Sequence, residues 1–187
     1  ATDPSPQNYD GEIVTKRRLR VDPASESHDN RRHKSPNMAA HRSPTEILKA
    51  ILTGLEQVRE HRLLPALGAE PDHAKASRAP YNASGRSLPY LAASADALQH
   101  FVDVSGVLGL VPERDKWIVG SVAFEFGNLK RALGEAGPDL EAALADPAKR
   151  EKLVYAAIVL ASLRDLFQNR LGPAAGISGG FNSLDGD

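Results

Sequence analysis

Beyond residue 43, apolar side chains return every three or four positions through four long stretches, and nowhere alternate over a useful length. That spacing is the period of an α-helix with one buried face, and it excludes a protein built on period-two strands. The first stretch opens on Ser43-Pro44-Thr45-Glu46: a serine cap, a proline at the first helical position and a glutamate three residues after the cap. Ile47, Ile51, Leu55 and Val58, flanked by Leu48 and Leu52, form its stripe, and Pro65 and Gly68 are read as its stop. A second helix is predicted from about Ser87, with Leu91, Ala95, Leu98, Phe101, Val102 and Leu108 on one face. A third runs from about Pro112-Glu113 to Gly134 and carries Trp117, Ile118, Val122, Phe126, Leu129 and Leu133. After a short helical turn from Asp139 to Ala145, Asp146-Pro147 caps a fourth long helix that Gly172-Pro173 stops. Its stripe is Leu153, Ala157, Leu160, Leu163 or Arg164, Phe167 and Leu171. Four amphipathic helices on short and medium links predict an all-α, antiparallel four-helix bundle over residues 44–187. No internal repeat is read from identical residues.

Composition separates this bundle from what precedes it. Residues 1–43 hold ten apolar side chains, four prolines, eight basic and six acidic residues, too little apolar surface to offset chain entropy. They are read as a disordered polar arm, in which only Glu12-Ile13-Val14-Thr15 has strand character. Its clusters Lys16-Arg17-Arg18-Leu19-Arg20 and Arg31-Arg32-His33-Lys34 have no interleaved aromatic platform apart from Tyr9, so no nucleic-acid partner is expected. The whole chain, at a formal charge of −1, has no general affinity for polyanions. With no cysteine, disulfides, thiolate metal sites and cysteine nucleophiles are excluded. No apolar run reaches the roughly 18 residues of a membrane span. Ala1, with no apolar core after it, is read as following a removed targeting segment or as the start of a fragment.

Chemistry-bearing residues are sparse. His28, His33 and His41 lie in the arm with no helical face to gather them, and His61 is placed at a helix end, where a cation complements the dipole. His100 and Asp103 share a helix face, as paired ligands would, or form an exposed pair. Glu125 interrupts an apolar run between Phe124 and Phe126 and is read as the wet edge of its helix in preference to a functional group facing a bundle crevice. Two loops stand out more. One is Arg78-Ala79-Pro80-Tyr81-Asn82-Ala83-Ser84-Gly85-Arg86-Ser87; the other is the glycine-rich run from Gly176 to Asp187, either a frayed end or a backbone-rich, acidic binding loop.

At these loops the sequence resembles the imelysin-like family. The ending Gly179-Gly180-Phe181-Asn182-Ser183-Leu184-Asp185-Gly186-Asp187 is similar to that family's C-terminal signature. So are Arg78-Ala79-Pro80-Tyr81, Ser84-Gly85-Arg86-Ser87-Leu88 and Leu91-Ala92-Ala93. The resemblance implies a bacterial periplasmic or cell-envelope protein, in a family often lipid-anchored and associated with iron uptake. It also implies two four-helix bundles side by side with a site between them, of which this chain matches only the C-terminal one. The metallopeptidase label of some members rests on a Gly-x-His-x-x-Glu motif in the N-terminal bundle. None of the six histidines here is followed by glutamate three residues later. Family members also carry Trp-Arg where this sequence has Asn82-Ala83.

Two functions are therefore expected from different classes. The leading one is a non-enzymatic module tied to iron or another divalent metal, which the chain does not hold alone. It would bind an N-terminal imelysin bundle or another envelope protein through Arg78, Tyr81, Ser84, Arg86 and Ser87, together with Phe181, Asn182, Asp185 and Asp187. In this reading Phe181 and Leu184 anchor the tail beside the first loop, and Asp185 and Asp187 face Arg78 and Arg86. The other is a partial metallopeptidase that needs a second bundle to supply its histidine and glutamate. No catalytic residue is assigned.

Overall fold

The structure is a computed structural model that describes residues 43–177. Of the expected arm over residues 1–43, all but Ser43 lies outside the described residues, as do the tail residues Phe181, Asn182, Asp185 and Asp187.

Helix α1 (residues 44–67) starts where its cap demands. Ser43 Oγ accepts from the Glu46 backbone N–H at 3.2 Å, and Glu46 Oε2 accepts from the Ser43 N–H at 3.0 Å. This reciprocal box satisfies two donors that have no partner inside the helix. Helix α2 spans Ser87–Ser105. A single 3₁₀ turn, Glu113–Asp115, precedes α3 (Trp117–Ala136), so the third helix begins later than the Pro112-Glu113 signal suggests. Asp139 caps the short α4 (Leu140–Ala145), and Asp146 caps α5 (residues 147–174), accepting from the Ala148 and Lys149 N–H groups. Among the described residues there is no strand. None of these helices is long and apolar enough to cross a membrane.

The helices pack as an antiparallel, up-and-down bundle. Glu125 of α3 meets Ser162 of α5, and ten residues further along α3 Glu135 meets Lys152, ten residues back along α5. Arg59 of α1 reaches the Ala157 carbonyl of α5, while Arg150 of α5 reaches the Leu67 carbonyl at the end of α1. The shared core holds Leu48, Ile51, Leu91, Ile118, Phe126, Leu153, Leu160 and Phe167, all at most 2% exposed. Each such side chain contributes about 1.5–3 kcal/mol by leaving water. Trp117, assigned to a core stripe by its spacing, is 55% exposed. It lies about 100° around the helix from buried Ile118, on the arc that carries exposed Phe124.

Pro65 does not break its helix, which ends at Gly68 as the sequence reading places it, while Pro173 lies inside a last turn that runs on to Ala174. The turn before each is π-helical, over Gln57–Leu63 and Leu166–Leu171, with the Leu64 and Gly172 N–H groups donating to carbonyls five residues back, on Arg59 and Phe167. A proline ring inside an α-helix collides with the carbonyl four residues earlier; a widened turn carries that carbonyl aside. Both segments end in one pattern, Arg62-Leu63-x-Pro65-Ala66-x-Gly68 and Arg170-Leu171-x-Pro173-Ala174-x-Gly176. Both glycines take a positive φ, +67° and +70°. The chain thus does contain an internal repeat, short and gapped, expressed as the same helix ending on α1 and α5. At Gly68 glycine is required twice over, by its φ and because a Cβ would meet the His73 backbone at 2.7 Å.

Two other glycines test the packing. A Cβ on Gly54 of α1 would run into the Leu98 side chain of α2, whereas one on Gly127, on the open side of α3, would meet nothing within 4 Å. Gly54→Val is expected to lower stability by about 1–3 kcal/mol. Gly127→Ala is expected to raise it by about 0.5–1 kcal/mol. Denaturant unfolding of the two variants checks both signs.

Candidate functional site

The connection between α1 and α2 is folded back on itself, and its residues divide into those that hold it and those that face out. The Tyr81 carbonyl is the hub: it accepts from the Ser84 N–H at 3.2 Å, the Arg86 N–H at 3.1 Å and Ser84 Oγ at 2.9 Å. Ser87, 2% exposed, donates its hydroxyl to the Pro80 carbonyl at 2.8 Å. Ser84 and Ser87 therefore serve the frame. Arg78, at the end of a 3₁₀ turn, and Arg86, at the cap position of α2, are exposed.

Tyr81 adopts a left-handed backbone (φ +61°), the only such residue besides glycines among those described, and its side chain is 57% exposed. A tyrosine in this region costs roughly 1 kcal/mol, which the triple use of its carbonyl helps to offset. Its ring meets Tyr90 of α2 edge-on, with centroids 4.7 Å apart. The Arg62 guanidinium lies 4.8 Å from the Tyr90 ring centre, and Arg62 Nη1 donates to Ser94 Oγ at 3.1 Å. A cation over an aromatic face and an edge-to-face ring pair each add about 0.5–1.5 kcal/mol. Sequence reading missed Arg62 and Tyr90. The available signal was the repeated Arg-Leu-x-Pro-Ala-x-Gly ending, in which Arg62 stands three residues before Pro65. Beside this loop, a cleft of about 440 Å³ opens between Lys75, Ser77 and Asn82 on one side and Glu141 and Leu144 of α4 on the other.

A second polar feature runs along the α3–α5 seam. Glu125, half-buried, accepts from Ser162 Oγ at 2.9 Å and from Asn128 Nδ2 at 3.4 Å; Arg131 donates to Asn128 Oδ1 at 3.3 Å. Asn128 is only 5% exposed. The three-residue spacing of Glu125, Asn128 and Arg131 was the legible clue to this row. Beyond it, Glu135 and Lys152 pair at 2.8 Å on the surface. The hydrogen bond from Lys152, and then its charge, hold the Glu135 carboxyl below its ordinary value, and the same bond raises Lys152.

Residues suited to metal ligation stay apart. His100 and Asp103 are both exposed, and no group of three histidine, aspartate or glutamate side chains gathers among the described residues. These residues do not fit a resident iron or zinc ion, so no chemical step is derived through one.

The two loops singled out from sequence are attached to opposite ends of the bundle. The Lys75 N–H donates to the Ala66 carbonyl, which fixes the first loop at the far end of α1. Ile177, from which the tail continues, bonds back to Gly172, whose position against Leu48 sets it at the start of α1. Leu48 and Leu67 are 19 residues apart on one helix, about 25–30 Å. No protein-family model, curated protein or solved structure matches this chain.

Ser87→Ala is expected to cost about 1–2 kcal/mol, because the Pro80 carbonyl loses its buried donor. Thermal unfolding checks it. The Glu135–Lys152 pair predicts a pH signature. With Glu135 lowered in the fold, its small contribution is present above the unfolded carboxyl value and is lost as pH falls through the folded one. With Lys152 raised, its share is present below the unfolded ammonium value and disappears as pH rises through the folded one. Melting curves of the parent and Glu135→Gln should therefore differ at neutral pH and converge at both extremes.

Proposed function

We propose that this chain is a non-enzymatic, imelysin-like binding module of a bacterial periplasm or cell envelope, associated with uptake of iron or another metal. Its binding surface is the loop Arg78–Ser87 with the adjoining cleft. One observation carries the reading: Tyr81 is held in a strained backbone conformation, its side chain largely exposed, by a frame of hydrogen bonds and an edge-on ring contact. Arg78 and Arg86 flank that ring in sequence, so the surface offers cations and an aromatic edge to an acidic partner. The resemblance of this loop to the imelysin-like pattern supplies the class of partner, a second helical bundle, and the metal belongs to that partner or to the joined pair. Phe181, Asn182, Asp185 and Asp187 lie outside the described residues and are not used in this reading.

The test mixes the chain with a separately produced N-terminal bundle of the family bearing Gly-x-His-x-x-Glu, and follows association by sedimentation. A complex is expected, weakened about tenfold or more by Tyr81→Ala or Arg86→Ala with the melting temperature nearly unchanged. No complex, or variants that bind as the parent does, would overturn the reading. Chelator-sensitive peptide cleavage by the purified chain alone would instead favour the peptidase alternative.

A further inference from the structure

Arg150, near the start of α5, is half-buried, and no carboxylate among the described residues pairs with it. Its Nη2 donates to the Leu67 carbonyl at 3.2 Å, its Nε is buried without a hydrogen-bond partner, and its Nη1 is uncommitted among the described residues. Taking a guanidinium part of the way out of water costs free energy that one neutral carbonyl returns only in part. The start of a helix adds to that cost, because it carries partial positive charge of its own. The carbonyl at the end of α1 needs a donor, but a neutral donor would serve it as well. The contacts of the described chain thus account for the hydrogen bond and leave the charge without a use.

The space beside Arg150 shows what would use it. This side chain lines a cleft of about 430 Å³ with apolar walls at Pro71, Leu144, Pro147 and Val154; the exposed Glu151 is its other charged wall residue. A mainly apolar cleft of that size with a few polar groups has the ordinary form of a small-molecule site. Its walls favour a hydrocarbon body, and the guanidinium favours a carboxylate. The cleft adjoins the one beside the Arg78–Ser87 loop across Pro71, Leu144 and Ala145, but Arg78, Tyr81 and Arg86 line neither.

We propose that this cleft binds a small carboxylate with an apolar chain, the carboxylate on Arg150 and the chain along Leu144, Pro147 and Val154. Fatty acids and apolar amino acids share this chemistry. Glu151 distinguishes them, because its carboxylate repels a simple anion and attracts the ammonium group of an amino acid. The inference goes beyond the module proposed above and does not rest on it.

The test titrates octanoate, octanol and acetate into the whole chain by calorimetry. Octanoate is expected to saturate one site, octanol to bind at least about tenfold more weakly, and acetate to show no saturation. The α-amino derivative of octanoate identifies the source. Tighter binding than octanoate, lost in Glu151→Gln, assigns the cleft to an apolar amino acid; weaker binding, improved by the same change, assigns it to a fatty acid. Val154→Trp fills the cleft, and Arg150→Met removes the charge while keeping an unbranched side chain. Each should weaken octanoate by about tenfold or more. Arg150→Met also takes the donor from the Leu67 carbonyl, so melting curves accompany both variants, and the comparison of octanoate with octanol needs no variant at all. Tyr81→Ala should leave octanoate binding unchanged, so this reading and that of the loop fail separately. The proposal is overturned if octanol binds as tightly as octanoate, or if octanoate finds no saturable site. It is equally overturned if a folded Val154→Trp chain binds octanoate as the parent does.

Discussion

The pairing of α3 with α5 is the most extensive helix contact in the bundle, and the positions of the other elements follow from it. Small buried side chains lie on both helices, Ala132 and Ala136 on α3 and Ala156 on α5. Larger apolar groups on either side, Leu129, Val159 and Leu163, then fill the core. That packing supplies stability but would tolerate a slip by one turn. The polar pairs Glu125–Ser162 and Glu135–Lys152 do not tolerate it, because a slipped register would leave a half-buried carboxylate without its hydroxyl donor. Apolar burial thus provides the energy, and a short row of polar contacts selects one alignment.

Much of this architecture was legible before any coordinates. The capping box at Ser43, the aspartate caps at positions 139 and 146, and the apolar spacing predicted four long helices and one short one in the right places. What escaped was of three kinds. The π-helical turns have no composition signal of their own; they arise from the conflict between a proline and the carbonyl behind it, which a period-3.6 template passes over. The Arg-Leu-x-Pro-Ala-x-Gly repeat is gapped, so a search for runs of identity does not find it. Trp117 was counted with the core stripe by its spacing, although its angle on the helix differs from that of Ile118. The expected meeting of the tail with the Arg78–Ser87 loop falls on residues outside the described ones. In an up-and-down bundle of four helices, the first connection and the exit of the fourth helix lie at opposite ends.

The candidate site shows a common division between frame and display. Ser84, Ser87 and Pro80 spend their hydrogen bonds inside the loop, and the Arg62–Tyr90 stack stiffens the surface beneath it. What remains outward is Tyr81 with the arginines near it in sequence. A loop anchored at so many points loses little conformational freedom when a partner arrives, so more of the contact energy survives as affinity. On the α1 side, Arg62 lies within the widened turn before Pro65.

That Ser43 and Ile177 both sit at the same end of adjacent, antiparallel helices has a mechanical consequence. Tension applied through these two attachment points would not load the α1–α5 seam along its length. It would open the seam like a zipper, separating one turn from its neighbour before the next bears any force, starting at Leu48 and Gly172 and ending near Leu67 and Arg150. Resistance to such peeling is set by a few side chains at a time and by the unfolding rate, so a bundle secure against heat can still yield to a weak pull.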